Sequence, residues 1–243
     1  MIRRILQFAS FASLLLVAET VTAVDENSKI TDPGFPDGES ATYSIDEDEK
    51  EWEFTETTQI TERSGVPVYR FLYVDPTERI EVTVERETML PVEVESVTFG
   101  PILTMNSSTK IDISERVETG GIQVLSLSEL KYLLRGYPFR SEPTLDVEFL
   151  SADVDEQSSI EFSIRVRYSQ REIVEIDGRA IETHKLELRM SAGGILRIMN
   201  RLVPKTYFWY SAEAPHYLVA YEGSSGFPGS PKRRIELITY SGW

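Results

Sequence analysis

The run from Ile160 to Tyr168 admits one kind of backbone. Ile160, Phe162, Ile164, Val166 and Tyr168 are apolar, while Glu161, Ser163, Arg165 and Arg167 between them are polar or charged. A period of two places all the apolar side chains on one face of a β-strand. A helix, at about 3.6 residues per turn, would scatter them around its axis. Ile80, Val82 and Val84 repeat the pattern against Glu81, Thr83 and Glu85. Leu186, Leu188 and Met190 do so against Lys185, Glu187 and Arg189.

Turn residues punctuate these runs at Ser64-Gly65, Asp75-Pro76, Asp177-Gly178 and Ala214-Pro215. Asp177-Gly178 suits a two-residue hairpin whose central residues need positive φ, and it predicts that Arg171–Ile176 pairs antiparallel with Arg179–Met190. One helix is expected over residues 127–135. Ser126 and Glu129 have capping-box spacing, Leu127, Leu130, Leu133 and Leu134 form an apolar stripe, and Gly136 and Pro138 end it. A second short helix or a strand is expected at Ile195–Leu202. Strands with one apolar face must cover it with a second sheet, with a helix, or by curling. The fold expected is mainly β: a curved antiparallel sheet, or a half-open or closed β-barrel, plugged by the short helix.

The first 23 residues have a different character. Arg3 and Arg4 precede a short apolar run to Val17, and Val21-Thr22-Ala23 offers a small-x-small cleavage site. This is the layout of a secretory signal peptide, and its apolar run is too short for a membrane-spanning helix. Residues 24–38, with Pro33, Gly34 and Pro36, read as a flexible leader, and 39–243 as a single β-rich domain. The expected location is outside the cytoplasm, in the periplasm of a Gram-negative bacterium, with no transmembrane helix in the mature chain.

The formal net charge of −15 opposes binding to nucleic acid or anionic lipid surfaces. With no cysteine, the chain has no disulfide, no thiolate metal site and no cysteine nucleophile. No metal site or cofactor is expected, because the two histidines stand far apart in sequence and the acidic runs Asp46–Glu49 and Asp153–Glu156 lack the glycine and distant glutamate of a calcium loop. Gly223-Ser224-Ser225-Gly226 has the spacing of neither a nucleophile elbow nor a phosphate loop, and reads as a turn.

His184 falls on the strand face of Leu186 and Leu188. It serves either as a base or ligand contact, or as a hydrogen-bonded residue at the end of a buried face. His216, after Pro215, is expected in an exposed turn. In Tyr207-Phe208-Trp209-Tyr210 both faces of a strand are aromatic, which fits a central core strand or the wall of an apolar cavity. The candidate lining is Tyr207, Trp209, Tyr69, Phe71, Tyr73, Phe162 and His184.

Five segments in order resemble an exported bacterial family of uncharacterised proteins, domain of unknown function 3108. They are Gly38-Glu39 with Tyr43; Thr88-Met89-Leu90-Pro91-Val92; Leu133-Leu134-Arg135 with Pro138-Phe139; Glu175-Ile176-Asp177-Gly178 leading to Thr183-His184-Lys185-Leu186; and Phe208-Trp209-Tyr210-Ser211 followed by Pro215. Ala180 and Glu182 depart from the commoner pattern after the turn. The resemblance implies a curved antiparallel sheet in the periplasm and no known activity. The layout is also similar, more distantly, to periplasmic lipoprotein carriers, whose half-open barrels hold acyl chains.

The leading expectation is a non-enzymatic exported protein that binds an apolar, lipid-like ligand or an envelope protein on a curved sheet. Two alternatives stand beside it. One is an integral outer-membrane barrel, which Pro67 and Pro91 within candidate strands disfavour. The other is a hydrolase using paired carboxylates, for which no pair can be singled out. Oligomeric state is not legible.

Overall fold

The computed structural model describes residues 30–99, 105–112, 122–124, 126–140, 144–149, 162–192, 205–225 and 230–242. The expected signal peptide of residues 1–23, Ile160, the segment Ile195–Leu202 and the Asp153–Glu156 run lie outside them.

The described strands are β1 (Ser40–Glu47), β2 (Lys50–Arg63), β3 (Val66–Val74), β4 (Glu78–Glu85), β5 (Pro91–Phe99), β6 (Met105–Asp112), β7 (Ile122–Val124), β8 (Leu145–Phe149), β9 (Phe162–Ile176), β10 (Arg179–Ala192), β11 (Thr206–Ser211), β12 (Leu218–Ser224) and β13 (Lys232–Ser241). They form one sheet in the order β6-β5-β4-β3-β2-β1-β13-β12-β11-β10-β9-β8-β7. Every neighbouring pair is antiparallel except β7 and β8, which are parallel. Among the described residues β6 and β7 do not pair with each other, so the sheet is not closed into a barrel.

Local chemistry sets the hairpins. Asp177 and Gly178 adopt φ of 48° and 71° between Ile176 and Arg179, as their types predict. Asp48-Glu49, within the acidic run that reads as a solvated turn, makes the same kind of two-residue turn at φ of 48° and 66° with no glycine. Pro67 and Pro91 fall within the first two residues of β3 and β5, where a missing ladder donor costs little.

The sheet curls. Ile80 of β4 and Phe149 of β8 line a common cavity although nine strand steps separate them. In a flat sheet that separation would be roughly 43 Å, at about 4.8 Å per step. Inside the curl lies helix α1 (Leu127–Leu133), extended by a single 3-10 turn, Leu134–Gly136. The Ser126 hydroxyl caps α1, accepting from the Glu129 N–H at 3.4 Å and donating to the Glu129 carboxylate at 2.9 Å. Leu127 and Ser128 are half-buried and every residue from Glu129 to Gly136 is buried, so beyond its first two residues the helix has no solvated face.

A helix covered all round must neutralise its charged side chains inside. The inward positions of β2 include Trp52, Phe54, Glu56 and Thr58, and those leading into β1 include Glu39, Ala41, Tyr43 and Ile45. Two acids therefore project inward. Lys131 and Arg135, one helical turn apart, meet them. Lys131 pairs with Glu56, which also accepts from the Tyr132 hydroxyl at 3.0 Å. Arg135 grips Glu39 with two bonds of 2.9 and 2.6 Å and donates to the Pro215 carbonyl at 3.1 Å. Tyr240 and Thr58 donate to the same carboxylate at 2.7 and 3.1 Å.

Residues 30–38 correct the expectation of a flexible leader. Ile30 and Phe35 are buried in the core, and the Thr31 N–H donates to the Gly136 carbonyl at 3.0 Å. Phe35 sits edge-on to Tyr69 and Phe71 and beneath Arg135. The proline and glycine that suggested flexibility shape a strap across one end of the curl. Gly136 is required there, because a Cβ would lie 2.3 Å from the Thr31 carbonyl oxygen.

Breaking the buried pair should be expensive. Arg135→Met strands the Glu39 carboxylate and should cost about 3–5 kcal/mol, whereas Glu39→Leu combined with Arg135→Met should recover part of the loss. Urea unfolding followed by far-ultraviolet circular dichroism measures both. A loss below about 1 kcal/mol for Arg135→Met, the range of an exposed ion pair, would contradict the burial described.

Candidate ligand-binding cavity

Chain direction distinguishes the two ends of the curl. The end holding the β1–β2, β3–β4 and β12–β13 connections also holds the start of α1, and here the described residues leave the interior unfilled. A cavity of about 280 Å³ lies between α1 and the strands. Ile45, Phe54, Tyr73, Ile80, Ile164, Leu188, Phe208, Leu218 and Ile235 supply its apolar wall. Lys131 reaches into it with its ammonium 5.2 Å from the Phe54 ring, 5.1 Å from Tyr73 and 4.9 Å from Tyr132. Glu78, Ser128, Ser225 and Arg233 add polar groups. Arg233 is held by Glu47 at 2.6 Å and lies over the Trp52 ring.

The opposite end is plugged by the 30–38 strap and the loop after α1. Its histidines lie together. His184 stacks on Phe139 with ring centres 4.6 Å apart and planes 11° from parallel. His216 meets the same ring at 4.7 Å and lies 5.8 Å from His184. His216 is half-buried, with Nδ1 2.9 Å from the Ser211 carbonyl, which corrects the expectation of an exposed turn residue. The His184 Nδ1 is buried without a hydrogen-bond partner. Burial lowers the pKa of both imidazoles. His216 and Arg171 lower that of His184 further against the Ala212 backbone and Glu182, and Arg135 lowers that of His216 against the Ser211 carbonyl.

The residues read from sequence as a lining separate in space. Tyr73 is on the cavity wall. Tyr69 and Phe71 are fully buried nearer the plugged end, packed on Phe35, and Phe71 stacks on Tyr132 at 4.1 Å. His184 belongs to the plugged end, and the Phe162 side chain lies outside the described residues. Tyr207 and Trp209 are corrected: they point away from the cavity. Phe208 and Tyr210 take the inward positions of β11, while Lys185 lies 4.7 Å from both outward rings and the Trp209 indole donates to Glu172 at 2.5 Å. The outward pair is half-covered, with Trp209 packed beside Ile176 and Val219. A four-residue aromatic run thus serves two faces, and its pattern alone could not say which was inside.

Sequence reasoning missed Lys131, Phe54, Phe208, Leu188 and Glu78. The usable signal was Glu56: an acid in phase with Trp52 and Phe54 implies an interior cation.

No family model and no curated protein matches the chain. The likeness to domain of unknown function 3108 therefore remains a resemblance of motif order. Several solved structures are similar in strand layout. They include a β-barrel-like protein of domain of unknown function 1849 from Brucella abortus (8% identity, 86% of this chain and 99% of that one, TM-score 0.46). The hypothetical lipoprotein YmcC from Escherichia coli is another (10%, 84% and 88%, 0.41). A third is a protein with a YmcC-like fold from Bacteroides fragilis (9%, 88% and 99%, 0.36). At these scores the likenesses carry no functional weight.

The histidine pair predicts a pH response. Both groups bind protons less readily when folded, so their stabilising contribution is complete above the ordinary histidine value of about 6.5 and declines as pH falls below it. Glu187 acts in a lower window. Burial alone would raise its pKa, but hydrogen bonds from Arg167 and Arg189 bring it down to about 2, so its contribution is lost as pH falls from the usual carboxylate range toward that value. The melting temperature should drop more steeply between about pH 6.5 and 5 for the wild type than for a His184→Phe, His216→Phe double variant. Parallel curves would contradict the assignment.

Proposed function

We propose that this is an exported, non-enzymatic protein that binds a lipid-like apolar ligand in the cavity between α1 and the curled sheet. The observation that carries the reading is the cavity's wall: aliphatic and aromatic side chains from β1–β4 and β8–β13 converge on an open space instead of interdigitating. Its volume is about twice that of an apolar cavity known to hold one benzene ring, roughly 150 Å³. The signal-peptide pattern of residues 1–23 supports export, and the periplasm of a Gram-negative bacterium is the compartment proposed.

Two features weigh against the alternatives. The outer sheet face carries Arg70–Glu81, Arg165–Asp146 and Arg167–Glu187 ion pairs where a membrane barrel needs an apolar band. The interior acids Glu39 and Glu56 are each engaged by a cation and by hydroxyl donors, an arrangement that leaves neither poised as a general acid or base. No helix among the described residues is long and apolar enough to cross a membrane.

The neutral dye N-phenyl-1-naphthylamine brightens in apolar surroundings and should do so with the purified mature protein. Ile80→Trp and Ser128→Trp place an indole in the cavity from two sides, and each should weaken dye binding about tenfold, equivalent to about 1.4 kcal/mol, with little change in melting temperature. Absence of enhancement, or enhancement indifferent to both variants, would refute the cavity reading.

A further inference from the structure

One cation on the cavity wall has hydrogen-bond donors that no described residue engages, and it bears on the ligand's polar end. Resting on the cavity reading above, we infer that the cavity holds a single-chain amphiphile by an anionic head, a carboxylate seated on the terminal guanidinium nitrogens of Arg233.

The lining carries two cations, Lys131 and Arg233, against one acid, Glu78. Lys131 is committed. Its side chain is only 9% exposed, its ammonium pairs with Glu56, and it lies over the rings of Phe54, Tyr73 and Tyr132. Arg233 differs. Its side chain is 29% exposed, and among the described residues only its Nε is engaged, donating to Glu47 at 2.6 Å. Both terminal nitrogens remain to make a planar, two-bond contact with a second carboxylate. One guanidinium already bridges two acids elsewhere on this sheet, where Arg63 meets Glu93 at 3.4 Å and Asp112 at 2.7 Å. The residue opposite Arg233 on β12 is Gly223, so that strand offers the guanidinium no competing side chain. A Cβ there would lie 2.7 Å from the Thr206 side chain.

The guanidinium faces the interior. Burial raises the pKa of the Tyr73 and Tyr221 hydroxyls, and Arg233 lowers both, so its charge acts on groups of β3 and of β12. Ser225, which follows β12 and lines the same cavity, adds a hydroxyl donor. From that head position Ile235, Leu218, Phe208 and Leu188 give the tail an apolar path. The cavity's size suits a tail of roughly a dozen carbons, scaling from the space that holds benzene. Glu78 stands apart, on β4, four positions from β13 in the sheet order, and accepts from the Ser96 hydroxyl at 3.0 Å. An ammonium head seated there would share a low-dielectric space with both lining cations, whereas a carboxylate on Arg233 shares it with one lining acid. The chain's net charge of −15 acts mostly through solvent, where salt screens it beyond about 8 Å.

Displacement of bound N-phenyl-1-naphthylamine tests this with three probes of one tail length: laurate, 1-monolauroylglycerol and dodecylammonium. Near pH 8, laurate should displace the dye at a concentration about tenfold lower than 1-monolauroylglycerol. Arg233→Gln should erase that preference by weakening laurate alone. The isosteric Glu47→Gln removes the neighbouring acid and keeps the guanidinium, so it should widen the preference to about thirtyfold. Comparing two probes on one protein cancels general damage to the cavity, and Glu47→Gln decides the question if Arg233→Gln does not fold. A neutral probe that displaces as well as laurate overturns the head assignment. So does a preference that survives Arg233→Gln or is unmoved by Glu47→Gln, and so does tightest binding of dodecylammonium, which would make Glu78 the receptor. Dye binding that none of the probes displaces rejects this ligand class while leaving the cavity in place. Failure of the dye itself to bind removes both.

Discussion

Everything inside this fold follows from enclosing a short helix on all sides by one sheet. An amphipathic helix at a protein surface keeps its charged stripe in water. Helix α1 has no such outlet, because its residues from Glu129 onward are buried. The sequence answers with acids placed on the inward phase of two adjoining strand positions, Glu39 and Glu56, and cations one helical turn apart, Arg135 and Lys131. Neither set is stable indoors without the other. The pairs fix the helix along its axis and in rotation, which an apolar interface alone does loosely.

The two ends of the curl then diverge. Where Arg135 meets Glu39, the network reaches Thr58, Tyr240 and the Pro215 carbonyl, and the strap through Ile30 and Phe35 seals the floor. The Phe139–His184–His216 cluster lies beside it and lines a separate surface recess of about 270 Å³. At the other end α1 begins, and its first turn offers Ser126, Leu127 and Ser128 to an unfilled volume. The helix is both the stopper of one end and a wall of the cavity at the other. Among the described residues, the cavity's polar groups gather where α1 begins, away from the end that the strap covers.

Much of the architecture was legible in the residues. Period-two alternation located β4, β9 and β10, since only a strand gathers Ile164 and Val166, or Val82 and Val84, on one side. Ser126 and Glu129 announced α1, and Asp177-Gly178 the longest hairpin. The strap misled because its proline and glycine are shared by flexible linkers and by chain pinned in an irregular path, and only burial of Ile30 and Phe35 separates the two. The cavity wall was legible in part. Tyr73 could be named, but β11 is aromatic on both faces, and which pair turns inward depends on the register Leu186↔Phe208 with β10. The interior ion pairs link residues 75 and 96 positions apart. Such separations leave no local trace beyond an acid standing where an apolar residue is due.

The account is tested most directly by isoleucine δ-methyl NMR during titration with laurate. Four isoleucines, Ile45, Ile80, Ile164 and Ile235, line the cavity from four different strands, while Ile60 and Ile173 are exposed outside it. The four cavity methyls should shift together and show contacts to the acyl chain, with Ile60 and Ile173 unmoved. Shifts confined to Ile60, Ile173 or other exposed methyls, or a cavity set that stays silent at saturating ligand, would contradict the account.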